Sequence, residues 1–230
     1  MRDADHKNFQ LYFLHILISV SIFALLTVVH SWISFSKVHY LNFVVPIFAG
    51  LLVGYLMAKN KVLNNQLTQI ANTDKLTGAY NRRYFDTRLN EEVDKARRYK
   101  LLFSIIYMDL DLFKQVNDTF GHEIGDHVLI DFSEIVMKAN RDSDIFARFG
   151  GEEFIILVQM ADKNSAHILY ERIKNAVAQH QFQQVNNVTF SAGIAEFDID
   201  KDSVTSILER ADVALYKAKS SGRNRAVIAD

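Results

Sequence analysis

Two stretches without a formal charge dominate the first quarter of the chain. From Asn8 to Ser36 there is no Asp, Glu, Lys or Arg, and from Val38 to Ala58 there is none either; Lys37 alone stands between them. A bilayer core about 30 Å thick takes about 20 apolar residues of helix, so each stretch is long enough to span it. Neither Leu11–Ile33 nor Leu41–Ala58 carries the polar face that a helix on a globular core would show. The first is too long for the apolar core of a signal peptide. The patterning predicts a transmembrane helical hairpin in residues 1–58, with spans at about 9–33 and 41–58. Arg2 and Lys7 precede the first span and Lys59 and Lys61 follow the second, which predicts that both termini face the cytoplasm. The turn from His30 to Tyr40 is too short for a folded sensor, and Pro46 is expected to kink the second helix. His15, His30 and His39 lie in or near this region. A facing pair could ligate haem, but interfacial or hydrogen-bonded histidines are the commoner outcome.

Residues 59–73 continue as a polar helix. Leu56, Leu63, Leu67 and Ile70 recur at heptad-like spacing with Asn60 at a core position, as in a short parallel coiled coil; a lone amphipathic helix has the same pattern. From Asp74 to the C-terminus the composition is that of a globular domain. There is no cysteine, which excludes disulfides and thiolate metal sites. The net charge of −1 gives no reason to expect a nucleic-acid partner. Periodicity predicts helix, strand, helix, hairpin, helix, strand, helix, strand, an α/β (α+β) sandwich with a central five-stranded sheet. The hairpin, formed by DIFARF and EFIILV around Gly150-Gly151, means that the sheet cannot be wholly parallel.

Two acidic clusters carry the chemistry. Asp109 and Asp111 close an apolar strand, and Glu152 and Glu153 follow the glycines at the hairpin tip. Residues two apart on a strand share a face, so the aspartates would point together unless the strand has already ended. Carboxylates gathered in this way repel, and a divalent cation such as Mg²⁺ relieves them. Lys114, Lys219 and Arg223 supply positive charge for phosphate. Acids for metal with bases for phosphate suit nucleotidyl transfer, although acidic strand ends also occur as plain solvated edges.

The segments DKLTGAYNRR, DLDLFKQVNDTFGHEIGDHVL, RDSDIFARFGGEEF, TFSAGIAEF and ADVALYKAKSSGRNR, in this order and with these gaps, resemble the GGDEF family of diguanylate cyclases over residues 74–230. The resemblance implies a mostly antiparallel sheet flanked by helices, like nucleotide cyclases and polymerase palms. It implies an enzyme that joins two GTP into cyclic di-GMP with release of two pyrophosphates, using Mg²⁺, with Mn²⁺ as an alternative. By position, Asp109 and Glu152 match the family's metal-binding acids, with the Leu110 carbonyl and Glu153 as further ligands. Glu152 also matches the acid that helps deprotonate the attacking 3′-hydroxyl. Backbone amides at Leu112 and Phe113, with Lys114, Lys219 and Arg223, match the phosphate site. Asn117 and Asp126 match the guanine-reading pair, with His122 beside them, while Gly121 and Gly125 are expected to serve turns and packing. Ala79 and Leu112 stand where many relatives have Leu and Phe; neither change removes a charge.

Arg141 and Asp144 form an RxxD pair, with five residues between Asp144 and Gly150, and Arg148 lies nearby in sequence. A surface ion pair is the plain alternative. The resemblance implies an inhibitory product-binding site made by Arg141 and Asp144 with Arg148. It further implies a homodimer, because each domain holds one GTP and two must face each other, held together by the membrane helices and linker in the lipid bilayer of a bacterial inner membrane. Two other functions compete with this one: an idle cyclic di-GMP receptor, and a scaffold acting through its membrane hairpin. Intact Asp109, Lys114 and Glu152 argue against both.

Overall fold

The computed structural model describes residues 41–229, together with residues 18, 21–22, 24–29 and 32, with the side chains of 41–46 and 64–71 outside the description. Most of the first expected span, 9–33, therefore lies outside the described residues, as do His15, His30 and His39. The second expected span and the linker form one uninterrupted helix, α1 (Leu41–Asn72). Among the described residues no helix is long and apolar enough to cross a membrane. Within α1 the described side chains begin at Ile47, and the apolar run from there to Ala58 is followed by Lys59, Asn60 and Lys61. The expectation of two spanning helices thus gains no support from the described residues. Leu56 and Leu63 of the linker pattern are both exposed, whereas Leu67 and Ile70 lie outside the described side chains. The chain divides into two compact units, residues 1–69 and 70–230.

The second unit is built on a mixed sheet in the order β1-β3-β4-β2-β5-β6. Its strands are β1 (Tyr80–Asn81), β2 (Phe103–Leu110), β3 (Ile145–Gly150), β4 (Glu153–Gln159), β5 (Phe190–Glu196) and β6 (Ala226–Ile228). Six strands replace the expected five. The addition is β1, two residues pairing parallel with β3, too short for any alternation to reveal. The three central pairings are antiparallel and both edge pairings parallel. Helices α2 (Arg82–Tyr99) and α6 (Val204–Ser220) cover one face, and α4 (His122–Ala139) and α5 (Lys163–Gln179) the other. A short helix absent from the sequence-based order, α3 (Phe113–Phe120), follows β2.

Local chemistry fixes these boundaries. Asn81 caps α2 by accepting the Tyr84 N–H at 3.0 Å, and Lys100 ends it in a left-handed conformation. Ser203 and Ser206 form a reciprocal capping box on α6. Strand β2 is buried along nearly its whole length. Ile106, Met108 and Leu110 pack towards α4 and α5, while Phe103 and Ile105 pack towards α2 and α6. Alternation then points Tyr107 and Asp109 to the α2/α6 face. Apolar burial up to Met108 thus delivers a carboxylate to the end of the central strand.

Candidate active site

Register assembles the acidic cluster. Asp109 stands opposite Glu153 of β4 on one side and opposite Ser191 of β5 on the other. Glu152 lies in the turn between β3 and β4, and its carbonyl accepts the Leu110 N–H at 3.3 Å. That turn requires glycine: Gly151 has φ 52°, Gly150 has φ 155°, and the pairing shifts register between Arg148 and Gly150.

Asp109 is only 7% exposed, and Lys219 of α6 reaches it with Nζ–Oδ2 2.7 Å. Burial pushes the Asp109 carboxyl above its ordinary value; the Lys219 ammonium draws it back, and the charges of Glu152 and Glu153 add to the upward push. Burial, followed by the charge of Glu153, lifts the Tyr107 phenol well above its ordinary value. Among the described residues no three acidic, histidine or cysteine side chains close into a metal cage. The arrangement instead suits Mg²⁺ bound by one or two carboxylates with substrate phosphates completing the shell. A desolvated carboxyl crowded by two others is the donor set such a cation would relieve.

Leu112 turns the chain out of β2 with φ 58° and precedes α3 without capping it by a side chain. Phe113 is buried and anchors the helix, while Lys114 is exposed. An uncapped helix start of this kind favours an anion. Gly121, with φ 86°, reverses the chain into α4, and Gly125 allows α3 and α4 to meet closely. A Cβ on Gly125 would lie 1.9 Å from Asn117 Oδ1. Asn117 is thereby laid against the turn of α4 that carries His122 and Asp126, both exposed. Arg223 follows α6 in a left-handed conformation, φ 62°, with its N–H donated to the Ala218 carbonyl at 3.1 Å. A cavity of about 330 Å³ lies beside Glu153, Asp212, Tyr216 and Lys219. A larger one, about 500 Å³, lies at the other end of β2, around Leu102, Phe197 and Asp202; the carboxylates rather than cavity size locate the site.

Three placements differ from expectation. Asp111 does not converge with Asp109, because β2 ends at Leu110 and Asp111 turns to Thr189 Oγ1 (2.8 Å) and Ser191 Oγ (2.7 Å). Arg148 engages the Gly150–Gly151 turn, not the RxxD pair: Nε and a terminal nitrogen donate to the Gly151 carbonyl at 2.9 and 2.7 Å, and the other terminal nitrogen meets Asp74 at 3.0 Å. Asp144 is buried and accepts the backbone N–H groups of Gln159 and Arg141, both at 3.3 Å, whereas Arg141 is exposed. Asp74, Tyr107 and Thr189 were not foreseen. Asp74 had a local signal in D-x-x-T-G, where its carboxylate accepts the Thr77 N–H and hydroxyl at 3.0 and 2.7 Å. Burial alone would raise the Asp74 carboxyl, but hydrogen bonds from Thr77 and Arg148 hold it below the usual range.

A mixed sheet with helices on both faces, a Gly-Gly turn that presents acids opposite a central-strand aspartate, and a lysine paired with that aspartate form an arrangement suited to nucleotidyl transfer. The family model described as "Diguanylate cyclase, GGDEF domain" matches residues 71–225, and the chain belongs to that family. It is 36% identical over 178 residues to Diguanylate cyclase A of Treponema denticola, covering 75% of this chain and 48% of that protein. The chain therefore spans about half the length of that curated relative. Among solved structures, the coiled coil and GGDEF domain of DgcB from Caulobacter crescentus, in complex with c-di-GMP, matches with TM-score 0.69 and 30% identity over 77% of this chain and 97% of that one. The active GGEEF domain of a Vibrio cholerae diguanylate cyclase matches with TM-score 0.63 and 35% identity over 65% and 97%.

Proposed function

We propose that the chain is a diguanylate cyclase that condenses two GTP into cyclic di-GMP. The observation that carries this is the opposition of Asp109 to the Gly150–Glu153 turn, with Lys219 Nζ 2.7 Å from the Asp109 carboxylate. Asp109 and Glu152, with the Leu110 carbonyl and Glu153 beside them, would hold Mg²⁺ or Mn²⁺. Such a cation lowers the charge on the transferring phosphate and on the attacking oxygen. Backbone amides at Leu112 and Phe113, with Lys114, cradle the phosphates, and Lys219 and Arg223 grip them from α6 and its exit loop. Asn117 and Asp126, with His122 alongside, read guanine: a carboxylate accepts from the ring N–H and the amino group, which adenine does not offer as a pair. Glu152 takes the proton of one GTP's 3′-hydroxyl as that oxygen bonds to the α-phosphorus of the other GTP and pyrophosphate leaves. A second such step closes the ring and releases the second pyrophosphate.

Because each domain contributes one GTP, the working form is a homodimer. Product is proposed to restrain it through Arg141, whose exposed guanidinium can grip phosphate or a guanine edge, at a turn pinned by Asp144. Arg148 supports the catalytic turn in this scheme. The two charge-free runs support a tether in the bacterial inner membrane with the catalytic domain cytoplasmic. So do apolar side chains exposed at described helical positions, among them Leu25, Leu26, Phe48, Leu51 and Leu52. The test is Glu152→Gln, which removes the charge from a partly exposed turn without opening a cavity. Synthesis of cyclic di-GMP should stop while the folded state persists; near-normal turnover would refute the assignment.

A further inference from the structure

We infer that Asp111, which the chemistry above leaves without a role, is a positioning residue that holds the phosphate-binding loop and, through it, Arg223. The inference rests on the proposed function. The Asp111 carboxylate is fully engaged: Oδ1 accepts from Ser191 Oγ at 2.7 Å, and Oδ2 accepts from Thr189 Oγ1 at 2.8 Å and from the backbone N–H of Asn224 at 3.0 Å. Its own N–H donates to the Thr189 carbonyl at 2.8 Å. Three segments distant in sequence therefore meet on one side chain: the end of β2, the start of β5 and the loop between α6 and β6.

That loop needs such an anchor. Gly222, Arg223 and Asn224 follow one another with φ 109°, 62° and 48°. Two consecutive non-glycine residues in the left-handed region are unfavourable unless the surroundings hold them there. One side of the loop is fixed by Arg223 N–H to the Ala218 carbonyl at 3.1 Å, the other by Ala192 N–H to the Arg225 carbonyl at 2.9 Å. Between these, Asp111 supplies the tie at Asn224. An ionised acceptor binds an amide more strongly than a neutral carbonyl does. Arg223 itself is exposed, so its direction is set by the loop backbone and not by packing of its side chain. The competing role, a metal ligand, would require Asp111 to release its two hydroxyl donors.

The experiment measures affinity for a non-reacting GTP analogue in wild type, Asp111→Ala, Asp111→Asn, Arg223→Ala and the Asp111→Ala/Arg223→Ala double variant. Asp111→Ala should weaken binding about tenfold, and the double variant should be no weaker than Arg223→Ala alone. Asp111→Asn preserves shape and one acceptor and should fall between Asp111→Ala and wild type, which also carries the test if the alanine variant does not fold. The Mg²⁺ concentration for half-maximal activity should be unchanged in Asp111→Asn. Wild-type affinity in Asp111→Ala, losses that multiply in the double variant, or a shifted Mg²⁺ requirement would overturn the inference. Trypsin cleavage after Arg223 and Arg225 provides a readout independent of GTP. It should be faster in the Asp111 variants than in wild type, and equal rates would overturn the tether even if wild type neither bound GTP nor made cyclic di-GMP, an outcome that would refute the function separately.

Discussion

Asp109 is held where its charge is disfavoured. Burial comes first among the causes, Lys219 offsets it in part, and Glu152 and Glu153 add repulsion. The folded-state value lies above the ordinary one, so at neutral pH the ionised group subtracts from stability. The loss is relieved as pH falls through the raised value, and it vanishes once the group is protonated in both folded and unfolded chains. Asp109→Asn should therefore abolish synthesis yet leave the thermal midpoint at pH 7, without divalent cation, equal to or above that of wild type. The difference should shrink towards pH 4. Thermal scans across this range check it, and a clearly lower midpoint at pH 7 would mean that the Lys219 pair outweighs burial. Asp74 shows the opposite case, a carboxyl held low by Thr77 and Arg148; its contribution is present in full above the ordinary value and is lost as pH falls through the lowered one. One residue serves the reaction at a cost to the fold, and the other steadies the turn on which Glu152 stands.

At the level of elements, two glycines separate packing from recognition. A Cβ on Gly193 of β5 would lie 1.9 Å from the Ala211 carbonyl oxygen and 2.4 Å from the Leu215 nitrogen, both backbone atoms of α6. Gly193→Ala must lift α6 and with it Lys219, and should cost about 3 kcal/mol along with activity. A Cβ on Gly125 meets the far end of the Asn117 side chain, which can turn away. Gly125→Ala should cost about 1 kcal/mol or less while weakening GTP binding through Asn117. Denaturant titrations alongside binding measurements distinguish the two, and equal stability losses would contradict this division. These elements also mark how far the sequence could be read. Helices α2, α4, α5 and α6 and the β3–β4 hairpin were legible because apolar periodicity, caps and Gly-Gly carry local signals. Strand β1 and helix α3 were not, since two residues show no alternation and eight residues are too few to display a helical period. Asp109, Glu152 and Lys219 were legible as a set through motif order. The partners of Asp111, Arg148 and Asp144 were not, because each is fixed by segments distant in the chain or by a strand ending one residue early.

On the scale of the whole molecule, the proposed reaction needs two catalytic domains brought together, with product restraining them. Asp144 is committed to the backbone at the start of β3, so Arg141 is the member of the RxxD pair that can be changed without disturbing the turn. Arg141→Ala should keep the initial rate but lose the slowing that wild type shows as cyclic di-GMP accumulates. Progress curves with and without added product test this, and equal slowing in both proteins would strike the site from the scheme. Inhibition of this kind is a coupling between distinct sites, so product should bind less tightly to dimers locked in the productive pose. Incubating the full chain with GTP and Mg²⁺ and identifying what forms tests the proposed activity. The expected result is cyclic di-GMP with two pyrophosphates released for each molecule made; folded protein that binds GTP but releases neither product would contradict it.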